Sequence, residues 1–126
     1  EKSVIDPTRT VAIFQRQPEP VTFEPGQVIF QQGDVAELMY GIIEGEVDVT
    51  FEGRVVETIG AGDVFGVGAL IDVKQRQYTA LAQTHCKLAF LDRNRFLFAI
   101  QETPVFSLSV IKSYSDRLVR IAQLKN

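Results

Sequence analysis

The residues best placed to do chemistry lie in one stretch, Gly62-Asp63-Val64-Phe65-Gly66-Val67-Gly68-Ala69-Leu70-Ile71, followed shortly by Arg76-Gln77-Tyr78-Thr79-Ala80. Two glycines beside a short apolar run let the backbone approach a ligand closely, and a short helix starting there would aim its N–H groups at an anion. Arg76 would close such a site, because a guanidinium meets two phosphate oxygens in parallel through charge-assisted bonds. On spacing alone the signal is weak, and the stretch reads better as turn glycines of a β protein beside a solvated arginine.

Other chemistries lack their residues. A metal-dependent enzyme on a jelly-roll frame needs at least two closely spaced histidines with a carboxylate, and His85 is the only histidine. In a strand His85 and Cys86 would point to opposite faces, so structural roles are expected for both. Glu44, Glu46 and Asp48 form an acidic cluster, but alternation puts Glu46 and Asp48 on an exposed strand face, where solvation accounts for them better than a metal. No Gly-x-Ser-x-Gly elbow, Walker loop or Cys-His nucleophile pair occurs. The expectation is a domain that is not an enzyme and uses neither metal nor cofactor.

A formal net charge of −3 gives no general attraction to nucleic acid or anionic lipid. Residues 1–70 carry 12 acidic and 4 basic side chains, whereas residues 71–126 carry 4 acidic and 9 basic, so an anionic ligand is favoured by the second half. The single cysteine forms no intrachain disulfide and fits a reducing, cytoplasmic compartment. No apolar run approaches the roughly 20 residues that span a bilayer. The opening residues lack the apolar core of a signal peptide, and the chain begins on Glu1, as a fragment of a longer protein would. At 126 residues, 45% apolar and 23% charged, the chain has the size and composition of one globular domain with one core.

The elements that must hold the stretch can be read from periodicity. Between Val21 and Leu91, short apolar runs alternate with turn signals at Pro25-Gly26, Gly33-Asp34, Glu44-Gly45, Glu52-Gly53 and Gly60–Asp63, the rhythm of an all-β sandwich or barrel. Val47, Val49 and Phe51 alternate with Glu46, Asp48 and Thr50, predicting a strand with the first three inward. Glu52-Gly53 between two such runs predicts a tight hairpin. Leu88–Leu91 has no polar alternation and predicts a strand covered on both faces.

Helices flank this region. Residues 1–20 form a lead-in, with a short helix over Pro7–Gln17 ended by Pro18-Glu19-Pro20. After Asp92, a good N-cap, Phe96, Leu97 and Ile100 recur at helical spacing up to Thr103-Pro104, where a second helix can start. In that helix Leu108, Ile111, Ser115, Leu118 and Ala122 make a narrow seam at intervals of three and four. The seam either packs on the chain's own strands or pairs with a second copy. Arg117, Arg120 and Lys125 read as ordinary surface charge favourable near a helix C-terminus.

Gly26–Asp34 and Tyr40–Val49 resemble successive signatures of the cyclic-nucleotide-binding domain family, which includes the sensor domains of catabolite-activator-type regulators and the regulatory subunit of protein kinase A. Gly62–Leu70 with Arg76 resembles that family's phosphate-binding cassette, and Asp92–Phe96 with the closing helix its C-terminal elements. The resemblance implies a mainly β fold with flanking helices, a double-stranded β-helix of the jelly-roll or β-roll kind, with the roll over 21–91 and C-terminal helices over 92–126. It implies that Arg76 holds the exocyclic oxygens of a cyclic phosphate, that Gly66 opens the cassette, and that Gly68, Ala69 and Leu70 offer main-chain N–H groups. Ile29 and Val49 match positions near the nucleotide, though a core role explains both equally well.

The sequence departs from the family pattern at three cassette positions. Val67 stands where the family has a glutamate that accepts the ribose 2′-OH, Tyr78 where it has a small residue, and Gln77 where a small or hydroxyl residue is common beside the arginine. Leaving that hydroxyl unpaired would cost roughly 1–3 kcal/mol, about one to two orders of magnitude in affinity. Two functions therefore stand side by side. One is a sensor that binds a cyclic nucleotide or another phosphate-bearing small molecule through residues 66–70, Arg76 and Gln77 and signals through its last helix. The other is a domain that has closed its pocket and serves as a dimerisation or docking scaffold. The DNA-binding helices of the transcription regulators would follow the closing helix, so no DNA contact is expected through these residues.

Overall fold

The computed structural model describes residues 6–15, 19–72 and 74–124. Among these residues eight strands make two antiparallel four-stranded sheets, the mainly β roll expected from the sequence. In the first, β1 (Val21–Phe23), β8 (Cys86–Leu91), β3 (Met39–Glu44) and β6 (Val64–Phe65) lie side by side in that order. In the second the order is β2 (Val28–Phe30), β7 (Thr79–Ala82), β4 (Val47–Phe51) and β5 (Arg54–Ile59).

Two apolar clusters hold the layers together. Phe30, Ile42, Val47, Val49, Ile59, Phe65 and Leu88 fill the space between the sheets. Val11, Met39, Val64, Leu70, Ala89, Leu91, Phe106 and Val110 join the outer face of the first sheet to the helices. The strand β8 contributes Cys86 and Leu88 to one cluster and Ala89 and Leu91 to the other, which is why its sequence shows no polar alternation. His85 lies just before β8 and is exposed, not in the strand as expected, while Cys86, the first residue of β8, is buried.

The hairpin between β4 and β5 turns on Glu52 and Gly53, both at positive φ (50° and 80°), the backbone of a two-residue type I′ loop. The alternation expected for β4 fails at its end. Phe51 is 48% exposed, whereas Thr50 is buried and its hydroxyl donates to the Thr79 carbonyl at 3.3 Å. A register shift between Val49 and Thr50 marks a bulge in the pairing with β5, and the added twist turns the last residues off the core face.

The lead-in helix α1 (Pro7–Phe14) is capped by Asp6, whose carboxylate accepts from Thr8 N–H at 2.8 Å. It ends at Gln15; Arg16, Gln17 and Pro18, the rest of the expected helix and its stop, lie outside the described residues. A side chain at Gly41 would meet Thr8 Oγ1 at 2.8 Å, so glycine there lets α1 lie directly on β3. Asp92 caps α2 (Arg93–Glu102) by accepting from Arg95 N–H at 2.8 Å, as its position predicts.

The last helix, α3 (Val105–Leu124), begins just past Pro104. Its predicted seam does not pack on the strands: Leu108, Ile111 and Leu118 are 56%, 63% and 68% exposed, and Ser115 and Ala122 are exposed with them. That overturns the reading of the seam as part of this chain's own core. The buried face is instead Phe106, Ser109, Val110, Ser113 and Arg117. The physical reason lies in β6, a two-residue edge strand whose main-chain groups need partners that Ser113 and Arg117 supply. Arg117, expected at the surface, is thus buried; Arg120 reaches Asp63 at 3.4 Å, and Lys125 lies outside the described residues. Among the described residues no helix is long and apolar enough to cross a membrane.

Candidate functional site

The strand β6 delivers the chain to Gly66, which sits at φ 78° and opens a single 3-10 turn, Val67–Leu70. A side chain at Gly66 would meet Arg76 Nη1 at 3.0 Å and the Leu38 carbonyl at 3.2 Å, so both backbone conformation and space require glycine. Leu70 is buried against the helices, and its carbonyl accepts from Arg93 Nε at 3.3 Å. Arg76 is brought to the same place by main-chain pairing with the loop before β3: its N–H donates to Asp34 O at 2.7 Å and its carbonyl accepts from Gly33 N–H at 2.8 Å.

Gly66 and Arg76, 10 residues apart, therefore converge as the sequence predicts. What they bind is the protein itself. Arg76 is 6% exposed; Nη1 donates to the Gly66 carbonyl at 3.0 Å, Nη2 donates to the Leu38 carbonyl, and the guanidinium lies 3.9 Å over the Phe30 ring. Its Nε is buried with no hydrogen-bond partner among the described residues. Burial pulls the Arg76 pKa below its ordinary value, opposed by the neighbouring tyrosines.

The Gly66 N–H donates to the hydroxyl of Tyr78 at 3.1 Å. The Tyr78 ring stands edge-on to Phe30 with centroids 5.3 Å apart, and Phe30 in turn neighbours Tyr40 and Phe65, which stack on each other at 5.2 Å. Four aromatic rings thus occupy the interior beside Arg76. Val67 is half-buried and packs against the cluster beneath α3, while Gln77 is exposed. Gly68 and Ala69 lie within the 3-10 turn, whose Ala69 N–H donates to the Gly66 carbonyl at 3.3 Å. Val49 is buried and Ile29 packs beside it in the inter-sheet cluster, so core packing accounts for both. Of the acidic cluster, Asp48 accepts from Thr58 and Gln83, and Glu44 pairs with Lys87 at 3.3 Å.

Burial pushes the Tyr78 hydroxyl up from 10.0 to about 12, keeping it a neutral group able to accept from Gly66. In the unfolded chain the phenol ionises near its ordinary value, so the unfolded state loses its proton first as pH rises. The contribution of Tyr78 to stability is full below pH 10 and is lost between pH 10 and about 12. Denaturant unfolding across that window should show a fall in stability that is shallower in Tyr78→Phe; equal slopes in the two chains would contradict the buried phenol.

Sequence reading missed a second polar centre under α3. Arg117 donates Nη2 to Glu57 Oε2 at 2.7 Å and Nε to both carboxylate oxygens at 3.2 and 3.3 Å, with the side chains 6% and 10% exposed. Its Nη1 donates to the Val64 carbonyl, and its guanidinium lies 4.3 Å over Tyr114. Burial works against the charge, but Glu57 and Tyr114 outweigh it and the pKa lies above the ordinary arginine value. The signal was present: Phe106, Val110, Ser113 and Arg117 recur at intervals of four, three and four, a second helical face beside the more apolar one.

A family model described as cyclic nucleotide-binding domain matches residues 20–103. The cAMP-dependent protein kinase regulatory subunit of Schizosaccharomyces pombe is 37% identical over 89 residues, 66% of this chain but 22% of that protein. Among solved structures, the Thermus thermophilus catabolite activator protein superposes with a TM-score of 0.74 at 25% identity, over 99% of this chain and 59% of that one. A regulatory subunit of a cAMP-independent protein kinase A from Trypanosoma brucei superposes with a TM-score of 0.64 at 30% identity, over 75% of this chain and 35% of that one. The chain thus spans about a quarter of the curated kinase subunits it matches.

Proposed function

The chain belongs to the family of cyclic nucleotide-binding domains, and from that premise we propose that it is a non-enzymatic regulatory module of a cytoplasmic protein whose cassette is closed by its own Tyr78 and whose output surface is the exposed seam of α3. The observation that carries this reading is the hydrogen bond from Gly66 N–H to the Tyr78 hydroxyl. Gly66 matches the residue that opens the family's cassette, and here a side chain of the same protein takes the amide at that entrance. The two Nη groups of Arg76 are likewise directed at main-chain carbonyls, and the Tyr78 ring packs edge-on to Phe30, over which the guanidinium lies. Regulation without cAMP is ascribed to the trypanosomal relative, and the same kind of regulation is proposed for this chain. Residues 1–126 would act as one unit, pairing with a second copy through Leu108, Ile111, Leu118 and their neighbours.

One observation favours the sensor reading. The unpartnered Nε of Arg76 is a buried donor that an acceptor would satisfy, and a phosphate-bearing ligand that displaced Tyr78 would supply one through the cassette, residues 66–70. Binding would then select a minor open state and be weakened by its low population. Isothermal titration with cyclic AMP and cyclic GMP separates the two. The closed module gives no heat at about millimolar nucleotide, whereas a dissociation constant in the micromolar range would overturn it in favour of the sensor.

A further inference from the structure

Beyond Tyr114, Arg117 is the only buried residue of α3 among those described; Ile121 is half-buried and the rest are exposed. The outer half of the helix, which carries Ser115, Leu118 and Ala122 of the seam, is therefore held chiefly by one side chain, helped by the partly exposed contact of Arg120 with Asp63. That side chain binds at once to the carbonyl of Val64, two residues before Gly66, and to Glu57 of β5. The other main-chain group of Val64, its N–H, donates to Ser113 Oγ at 3.4 Å, so both polar groups of the residue entering the cassette end on α3.

We propose that Arg117 is a positioning residue that fixes the outer half of α3 to the cassette strand, so that a displacement at Gly66 is passed to the helical seam through the Arg117–Glu57–Val64 contact. The inference rests on the reading of α3 as the output surface. Its physical basis is directionality. Apolar packing is non-directional and lets a helix slide, whereas a forked guanidinium is aligned to particular acceptors and moves with them. Leu124 lies seven residues past Arg117, about 10 Å along the axis at 1.5 Å per residue, so a small tilt at the anchor becomes a larger shift at the helix end.

Hydrogen exchange followed by mass spectrometry tests this in the full chain and in Leu118→Glu, where pairing between copies is removed. Arg117→Met should lower protection of amides 115–122 at least tenfold while leaving β8 unchanged, and Arg117→Lys, which keeps the charge but not the fork, should fall between. Tyr78→Ala disturbs Gly66 and should loosen amides 115–122 in the parent chain but add nothing in the Arg117→Met background. Glu57→Gln, which weakens the pair and keeps the bond to Val64, serves should Arg117→Met fail to fold, and it should loosen the same amides. Unchanged protection in Arg117→Met or, failing that, in Glu57→Gln, or a Tyr78→Ala effect of equal size with and without Arg117, overturns the proposal. Failure of the functional reading shows elsewhere, as nucleotide binding by the parent chain or as an oligomeric state indifferent to Leu118→Glu.

Discussion

Tyr78→Ala is expected to raise the affinity of this chain for a cyclic nucleotide. The substitution removes the hydroxyl that accepts the Gly66 N–H and empties the volume between Phe30 and the cassette. A cyclic phosphate can then enter beside the turn and offer an oxygen to Arg76 Nε. Val67 still provides no acceptor for a ribose hydroxyl, so the gain should bring cyclic AMP binding only to about the hundreds-of-micromolar range. Adding Val67→Glu should tighten it by about one to two further orders of magnitude. Adding Arg76→Ala to either variant should abolish binding. Calorimetric titrations of the parent, single and double variants read all of this, and a parent chain that binds as tightly as Tyr78→Ala would refute the closed cassette.

The second large effect concerns assembly. Leu108, Ile111, Ser115, Leu118 and Ala122 repeat at three and four residues, the spacing of a helix–helix seam, and with Val67 and Tyr114 they expose an apolar strip. Sedimentation of the parent chain at tens of micromolar should find dimers, and Leu118→Glu should be monomeric, because two carboxylates facing across a dry seam are strongly unfavourable. Leu118 is 68% exposed within one chain, so the variant should keep its unfolding free energy to within about 0.5 kcal/mol when compared as monomer. A parent chain that is monomeric at every concentration would remove the proposed output surface.

Much of this molecule could be read from residue order. The turn signals located the strands, the Glu52-Gly53 pair located a hairpin, Asp92 located a helix start, and the convergence of Gly66 with Arg76 followed from the cassette pattern. These are local or motif-borne signals. The orientation of α3 was harder, because its two faces both repeat at helical spacing and the more apolar one turned out to be exposed. A seam of Leu and Ile reads as core, while Ser109, Ser113 and Arg117 read as surface until the short strand β6 is seen to need hydrogen-bond partners. The pairing of Arg117 with Glu57 joins residues 60 positions apart, which no local periodicity reports. Tyr78 could be seen to crowd the pocket, but that its hydroxyl would satisfy Gly66 depends on a few tenths of an ångström.

The polar underside of α3 bears on how the fold tolerates rearrangement. Were the helix to swing away past Tyr114, the strands would be left showing chiefly the Glu57 carboxylate and the Val64 carbonyl, and water solvates such groups readily. Detachment of this segment would carry little aggregation hazard, and the eight-stranded body should stay monodisperse with the outer half of its closing helix undocked. A frame of that kind accepts different C-terminal attachments without redesign of its interior.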